Sequence, residues 1–197
     1  MRNNPFKVLT AQSKMTGVNS MMGNPAIANQ QGTTRVLYDT LPLDGREEFK
    51  FFESVQSRTF PMTNLNQNKL QVAESFALQR IYFSIVSFST GSVTDVLDVT
   101  SIQTGGQTYL WGSQFTINWD TMTIVKPIPL ASLKPDFNKS ALNDLKSSME
   151  FDNNIILPTD IQFRCELDTP PYTLEADTYL RCTWEGFGTI LSPKQQF

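Results

Sequence analysis

Histidine is missing altogether from this chain of 197 residues. Its absence excludes Ser-His-Asp and Cys-His nucleophile pairs, His-ligated zinc and the commonest general base near neutral pH. Enzymatic chemistry would have to run on carboxylates, lysine or tyrosine, and the sequence points to no such reaction. No catalytic residue, metal ligand or cofactor is therefore expected. Cysteine is nearly missing too, with only Cys165 and Cys182, too few for a disulfide framework in a chain of this length. Long apolar runs are also lacking, and no window approaches the roughly 18 apolar residues of a membrane span. Met1 leads into Arg2, Asn3, Asn4 and Pro5 without the hydrophobic core of a secretory leader. These absences predict a soluble protein with no membrane span, made in a cytoplasm. The formal charge of −3 argues against a nucleic-acid-binding domain as a whole.

What is present is strand pattern. Ile161 to Leu167 and Tyr179 to Glu185 alternate apolar and polar residues, the period of strands with one buried face. Their inward phase carries Ile161, Phe163, Cys165 and Leu167 on the first, and Leu180, Cys182 and Trp184 on the second. Both thiols are thus expected reduced and buried beside Phe163, Leu180 and Trp184. The link between the strands contains Pro170 and Pro171, which cannot donate to a β-ladder, so the chain leaves the sheet there. A hairpin would set Glu166 against Arg181; a crossing between sheets would abolish that pair, and the crossing is the expectation. The last strand resumes through Gly186 and Gly188, where a bulge or close backbone approach is expected. A closing strand so apolar belongs near the middle of a sheet.

Upstream, strand follows strand. Phe49 to Val55, Leu70 to Glu74, Phe76 to Phe88, Val93 to Gln103, Tyr109 to Trp111, Phe115 to Trp119 and Met122 to Ile128 are separated by turn signals such as Asp44-Gly45 and Gly105-Gly106. The Phe76 to Phe88 stretch is apolar on both faces and should be covered on both. Met122, Ile124 and Ile128 are read as one apolar phase. One short helix is expected over 138–149, with Leu142, Leu145 and Met149 at helical spacing and Asn138 or Ser140 as N-cap. A hydrophobic fraction of 40% supports one undivided β-domain over 36–197.

Residues 1–35 differ from the rest. They are polar and Asn-rich, without a sustained apolar period, and read as an extended arm that needs a neighbour to order it. Arg2, Lys7, Lys14 and Arg35 are its charged residues, with no acidic partner, while the remainder holds twelve basic against nineteen acidic residues. Met15, Met21 and Met22 are flexible apolar groups suited to irregular grooves on a neighbour. Docking is the plainer reading of the arm; weak nucleic-acid contact is the sharper one. A chain beginning near Thr34 is expected to fold.

Other features carry less. Asp95 and Asp98 lack the glycine-bearing loop of a calcium site. Tyr109, Trp111, Trp119 and Tyr172 would form a sugar platform if exposed, although aromatics alternating along strands more often serve as core or subunit contact.

The polar arm, the run of strands, the short helix and the closing segment Glu185 to Leu191 together resemble a small jelly-roll virion protein of a bacteriophage. The resemblance covers the chain in style and includes no diagnostic motif. It implies an all-β, jelly-roll-like sandwich of about eight strands in two four-stranded sheets. It also implies a place in or on a capsid, with copies of itself or other capsid proteins as partners, and function through assembly without chemistry. The acidic body and mildly basic arm depart from a genome-packaging pattern. The competing reading is a receptor- or carbohydrate-binding jelly roll.

Overall fold

The computed structural model describes residues 30–71, 74–89, 92–98, 112–135, 147–157, 159–171 and 178–191. The strands are β1 (Gln30–Pro42), β2 (Glu48–Phe51), β3 (Ser75–Ser89), β4 (Ser92–Asp98) and β5 (Gln114–Trp119). They continue with β6 (Met122–Pro129), β7 (Lys134–Pro135), β8 (Ser147–Leu157), β9 (Phe163–Asp168) and β10 (Thr178–Leu191). One sheet has the order β1-β10-β3-β8-β7, with β4 beside the far end of β3, and the other has the order β2-β9-β5-β6. All pairings are antiparallel.

Leaving out the short additions β4 and β7, the chain changes sheet at every step except the β5–β6 hairpin. That winding, with the first strand beside the last and the second beside the next-to-last, is the jelly roll. The core lies between the sheets. Phe49, Phe51, Phe52, Phe83, Phe115, Phe163 and Trp184 are fully buried there, and aromatic pairs cross the interior, as in Phe51–Phe83 with ring centroids 5.9 Å apart.

β10 lies between β1 and β3, the central place its apolar pattern implies. The link after β9 does cross between sheets, so Glu166 and Arg181 do not meet: Glu166 accepts from Arg164 Nε at 2.6 Å, and Arg181 turns to Thr40. A register shift at Glu185/Gly186 is the bulge expected there. A Cβ at 186 would overlap the Ala77 carbonyl, so the close approach of β3 admits only glycine. β3 is buried on both faces, with Phe76, Leu78, Ile81, Phe83 and Ile85 in the core and Ala77, Arg80, Ser84 and Val86 on the other side.

Several sequence expectations need correction. The arm does not extend to residue 35, because β1 starts at Gln30 and pairs with β10 from Leu191 inward. Arg35 is a strand residue, its Nη1 3.1 Å from Glu74 Oε2, and a chain beginning near Thr34 would lack part of an edge strand. The helix read over 138–149 fails at its end, where Ser147, Ser148 and Met149 open β8 and Met149 pairs with Ile81; the rest of that stretch lies outside the described residues. Strand pairing with β3 outweighs the local helical spacing. The strand read from Phe49 stops at Phe51, and Phe52 turns the chain with φ +68°. Of the strand read over Leu70 to Glu74, Gln71 and Glu74 join no ladder, Lys69 and Leu70 make isolated bridges to Gln162 and Thr159, and 72–73 lie outside the described residues. In β6 the inward phase is Val125 and Ile128, because two register shifts separate β5 from β6. Ile161 precedes β9 and is half-buried, whereas Phe163, Cys165, Leu167, Leu180, Cys182 and Trp184 are all buried.

Candidate assembly surface

β1 is an edge strand of the larger sheet, and an exposed edge of this length invites pairing with another chain. The segment from Phe52 to Leu65 wraps around part of that edge. Side chains alternate across a strand, so Asp39 shares the inward face of β1 with Leu37 and Leu41, while Tyr38 and Thr40 face outward. Asp39 is fully buried. Its Oδ2 accepts from Phe52 N at 2.7 Å, and its two oxygens accept from Arg58 Nε at 2.9 Å and Arg58 Nη2 at 2.6 Å. This fork-to-fork geometry is the strong, directional form of an ion pair. Burial pushes the Asp39 carboxyl above its ordinary value, against the opposing pull of Arg58 and the Phe52 N–H.

Along the rim of β1 the segment makes strand-like contacts. Thr63 bridges Asp39, and Thr63 Oγ1 donates to Tyr38 O at 3.0 Å. Asn64 acts as a substitute peptide, with Nδ2 donating to Val36 O at 2.6 Å and Oδ1 accepting from Tyr38 N at 2.9 Å. From the outward face, Arg181 donates through Nη2 to Pro61 O at 2.9 Å and through Nε to Thr40 Oγ1 at 2.9 Å. Its guanidinium carbon lies 4.5 Å from the centroid of the Tyr38 ring, within cation–π range.

The chain is therefore gripped from both faces of β1, by Asp39 at Arg58 and by Arg181 at Pro61. Between those grips stands Phe60, 82% exposed. Pro61 and Met62 beside it are half-buried, and Val36 on the adjacent strand is also exposed. An aromatic ring held in water by a pinned backbone has already lost conformational freedom before it meets a partner, which is how an interface anchor gains affinity. No sequence signal marked Phe60 as special. The Arg58–Asp39 and Arg181–Pro61 contacts that fix it span sequence separations of 19 and 120 residues.

The structure offers less elsewhere. Glu53, Asn68, Asp120, Gln162, Phe163 and Arg164 line a shallow hollow of about 240 Å³, and Arg164 there is already engaged by Glu166. Tyr82 Oη donates to Glu185 Oε1 at 3.1 Å on the outward face of the larger sheet; burial and the Glu185 charge push the phenol well up. Of the aromatics that would make a sugar platform, Trp119 is half-buried against the core, and Tyr109, Trp111 and Tyr172 lie outside the described residues. So do Arg2, Lys7, Lys14, Met15, Met21 and Met22 of the arm. Among the described residues no group of three His, Cys, Asp or Glu side chains is placed to hold a metal. None of their helices is long and apolar enough to cross a membrane. No family model, characterised protein or solved structure matches the chain.

Proposed function

We propose that this chain is a virion structural protein of the phage jelly-roll type, building into or onto a capsid by contact with copies of itself or with other shell proteins. The display of Phe60 is the observation that carries this reading: a ring 82% exposed on a backbone held at Arg58, Pro61, Thr63 and Asn64. The jelly-roll winding supports it, since that architecture presents rigid loops at the ends of a sandwich and tiles readily in shells. The basic arm upstream of β1 is a second contact, to a neighbouring subunit or weakly to the packaged genome.

The test compares wild type with Phe60→Asp and with a chain beginning at Gln30, by thermal melting and by light scattering and electron microscopy under assembly conditions. Phe60→Asp should melt like wild type, because the ring touches little of its own domain, and should form no regular particles. The chain beginning at Gln30 keeps all of β1, so it too should fold while assembling poorly. Normal particles from both variants would remove the basis for the proposal. A wild-type chain that stays monomeric and binds glycans would favour the receptor-binding reading.

A further inference from the structure

We propose that Cys165 and Cys182 form a redox modification site, a pair of core thiols placed to close into a disulfide between the two sheets. The inference does not depend on the assembly role. Because the β9–β10 link crosses the sandwich, the two strands lie face to face in opposite sheets, and their inward residues meet in rows. Phe163 meets Trp184, with ring centroids 5.5 Å apart. The next row inward on both strands is Cys165 opposite Cys182, and the one after is Leu167 with Leu180, all buried. The ladder neighbours agree: Phe51 pairs with Cys165 and Phe83 with Cys182, and these two rings also touch across the interior. Both cysteines are free and fully buried, and the Cys165 thiol is near enough to add to the upward push on Cys182.

To bond, the two sulfurs must close to about 2.05 Å with their Cα atoms within about 7 Å of one another. Two small side chains in one row also let the sheets approach more closely there than at the aromatic row beside it. A disulfide joining two sheets and packed on a buried tryptophan is an established device of another sandwich, the immunoglobulin domain. The reaction with a peroxide balances without further partners. One thiolate attacks a peroxide oxygen, breaking the O–O bond and giving a sulfenic acid and, after protonation, water. The second sulfur then attacks the sulfenic sulfur and expels a second water. Two thiols are oxidised and one peroxide is reduced. Burial pushes the Cys182 thiol well up and shuts both sulfurs away from dissolved oxidant, so the bond forms many-fold more slowly than between accessible thiols.

The test is to hold the reduced full-length protein under native conditions with hydrogen peroxide, then denature it, alkylate it and measure intact mass and peptide linkage. The expected product is a monomer with no alkylatable thiol and with the peptides carrying Cys165 and Cys182 joined. Its melting temperature should stand roughly 6 to 12 °C above the reduced form, the size expected for closing a loop of this length in a chain of this size. Reductant should restore the lower melt. Sulfinic or sulfonic products, or a bond between two chains, would overturn the proposal. So would thiols that still survive native exposure many times longer than the urea-unfolded chain, as the control for the oxidant, needs to become bonded.

Discussion

Removing Asp39 tests whether the surface segment is pinned from inside the core. In Asp39→Ala the Arg58 guanidinium, whose side chain is 16% exposed, loses both charge-assisted bonds, and the buried Phe52 N–H loses its acceptor. Breaking a buried ion pair from one side costs about 3 to 5 kcal/mol, because the other charge is left uncompensated. Arg58→Met should cost less, roughly 1.5 to 3 kcal/mol, since Asp39 still accepts from Phe52 and burial already favours its neutral form. In the double variant the uncompensated charge is gone, so its loss should fall short of the sum of the singles by about 1.5 kcal/mol or more. Equilibrium urea unfolding followed by tryptophan fluorescence measures all four stabilities, with Trp184 at 4.6 Å from the Phe52 ring as a local reporter. Additivity within about 0.5 kcal/mol would show that the two residues act independently, and the account of how Phe60 is held would fail.

The same carboxyl predicts a pH dependence. Burial raises its pKa above 3.8, so between that value and the raised one the folded chain holds a proton the unfolded chain has released. The proton-linked part of Asp39's contribution to stability is therefore full below 3.8 and is lost as pH rises through the folded value. The difference in unfolding free energy between wild type and Asp39→Asn should slope across that window, and a constant difference would refute the assignment. Trp184→Ala should cost roughly 3 to 5 kcal/mol through the cavity it leaves, and Glu166→Ala less than about 1 kcal/mol, its partner being a surface arginine; equal losses in denaturant titrations would contradict the inward and outward phases of β9 and β10. Gly186→Ala should cost about 2 to 3 kcal/mol or more, because the added methyl meets the β3 backbone, and an unchanged melting temperature would show that the strands can separate freely there.

The sequence by itself determined the fold class and the phase of the last two strands. Alternation at Phe163, Cys165 and Leu167, and at Leu180, Cys182 and Trp184, reports which residues leave water, since a strand's period of two is set by its backbone. Pro170 and Pro171 report that the chain leaves the sheet after β9, because a residue without an N–H cannot donate to a ladder, while a long hairpin and a crossing between sheets are both compatible with that signal. Period fails where register shifts, as at Val125 and Ile128 in β6, because an extra residue in one strand flips every side chain after it. Local spacing fails where a distant strand offers pairing, as at Met149, which Ile81 takes into β8. The extent of the arm is hidden for the same reason: nothing in Gln30 to Thr34 signals a strand until β10 lies beside it. Only the tertiary structure decided that Asp39 meets Arg58, that Arg181 meets Pro61 and that Cys165 faces Cys182. Contacts between distant segments are fixed by how two sheets close on one another, and no local pattern records them.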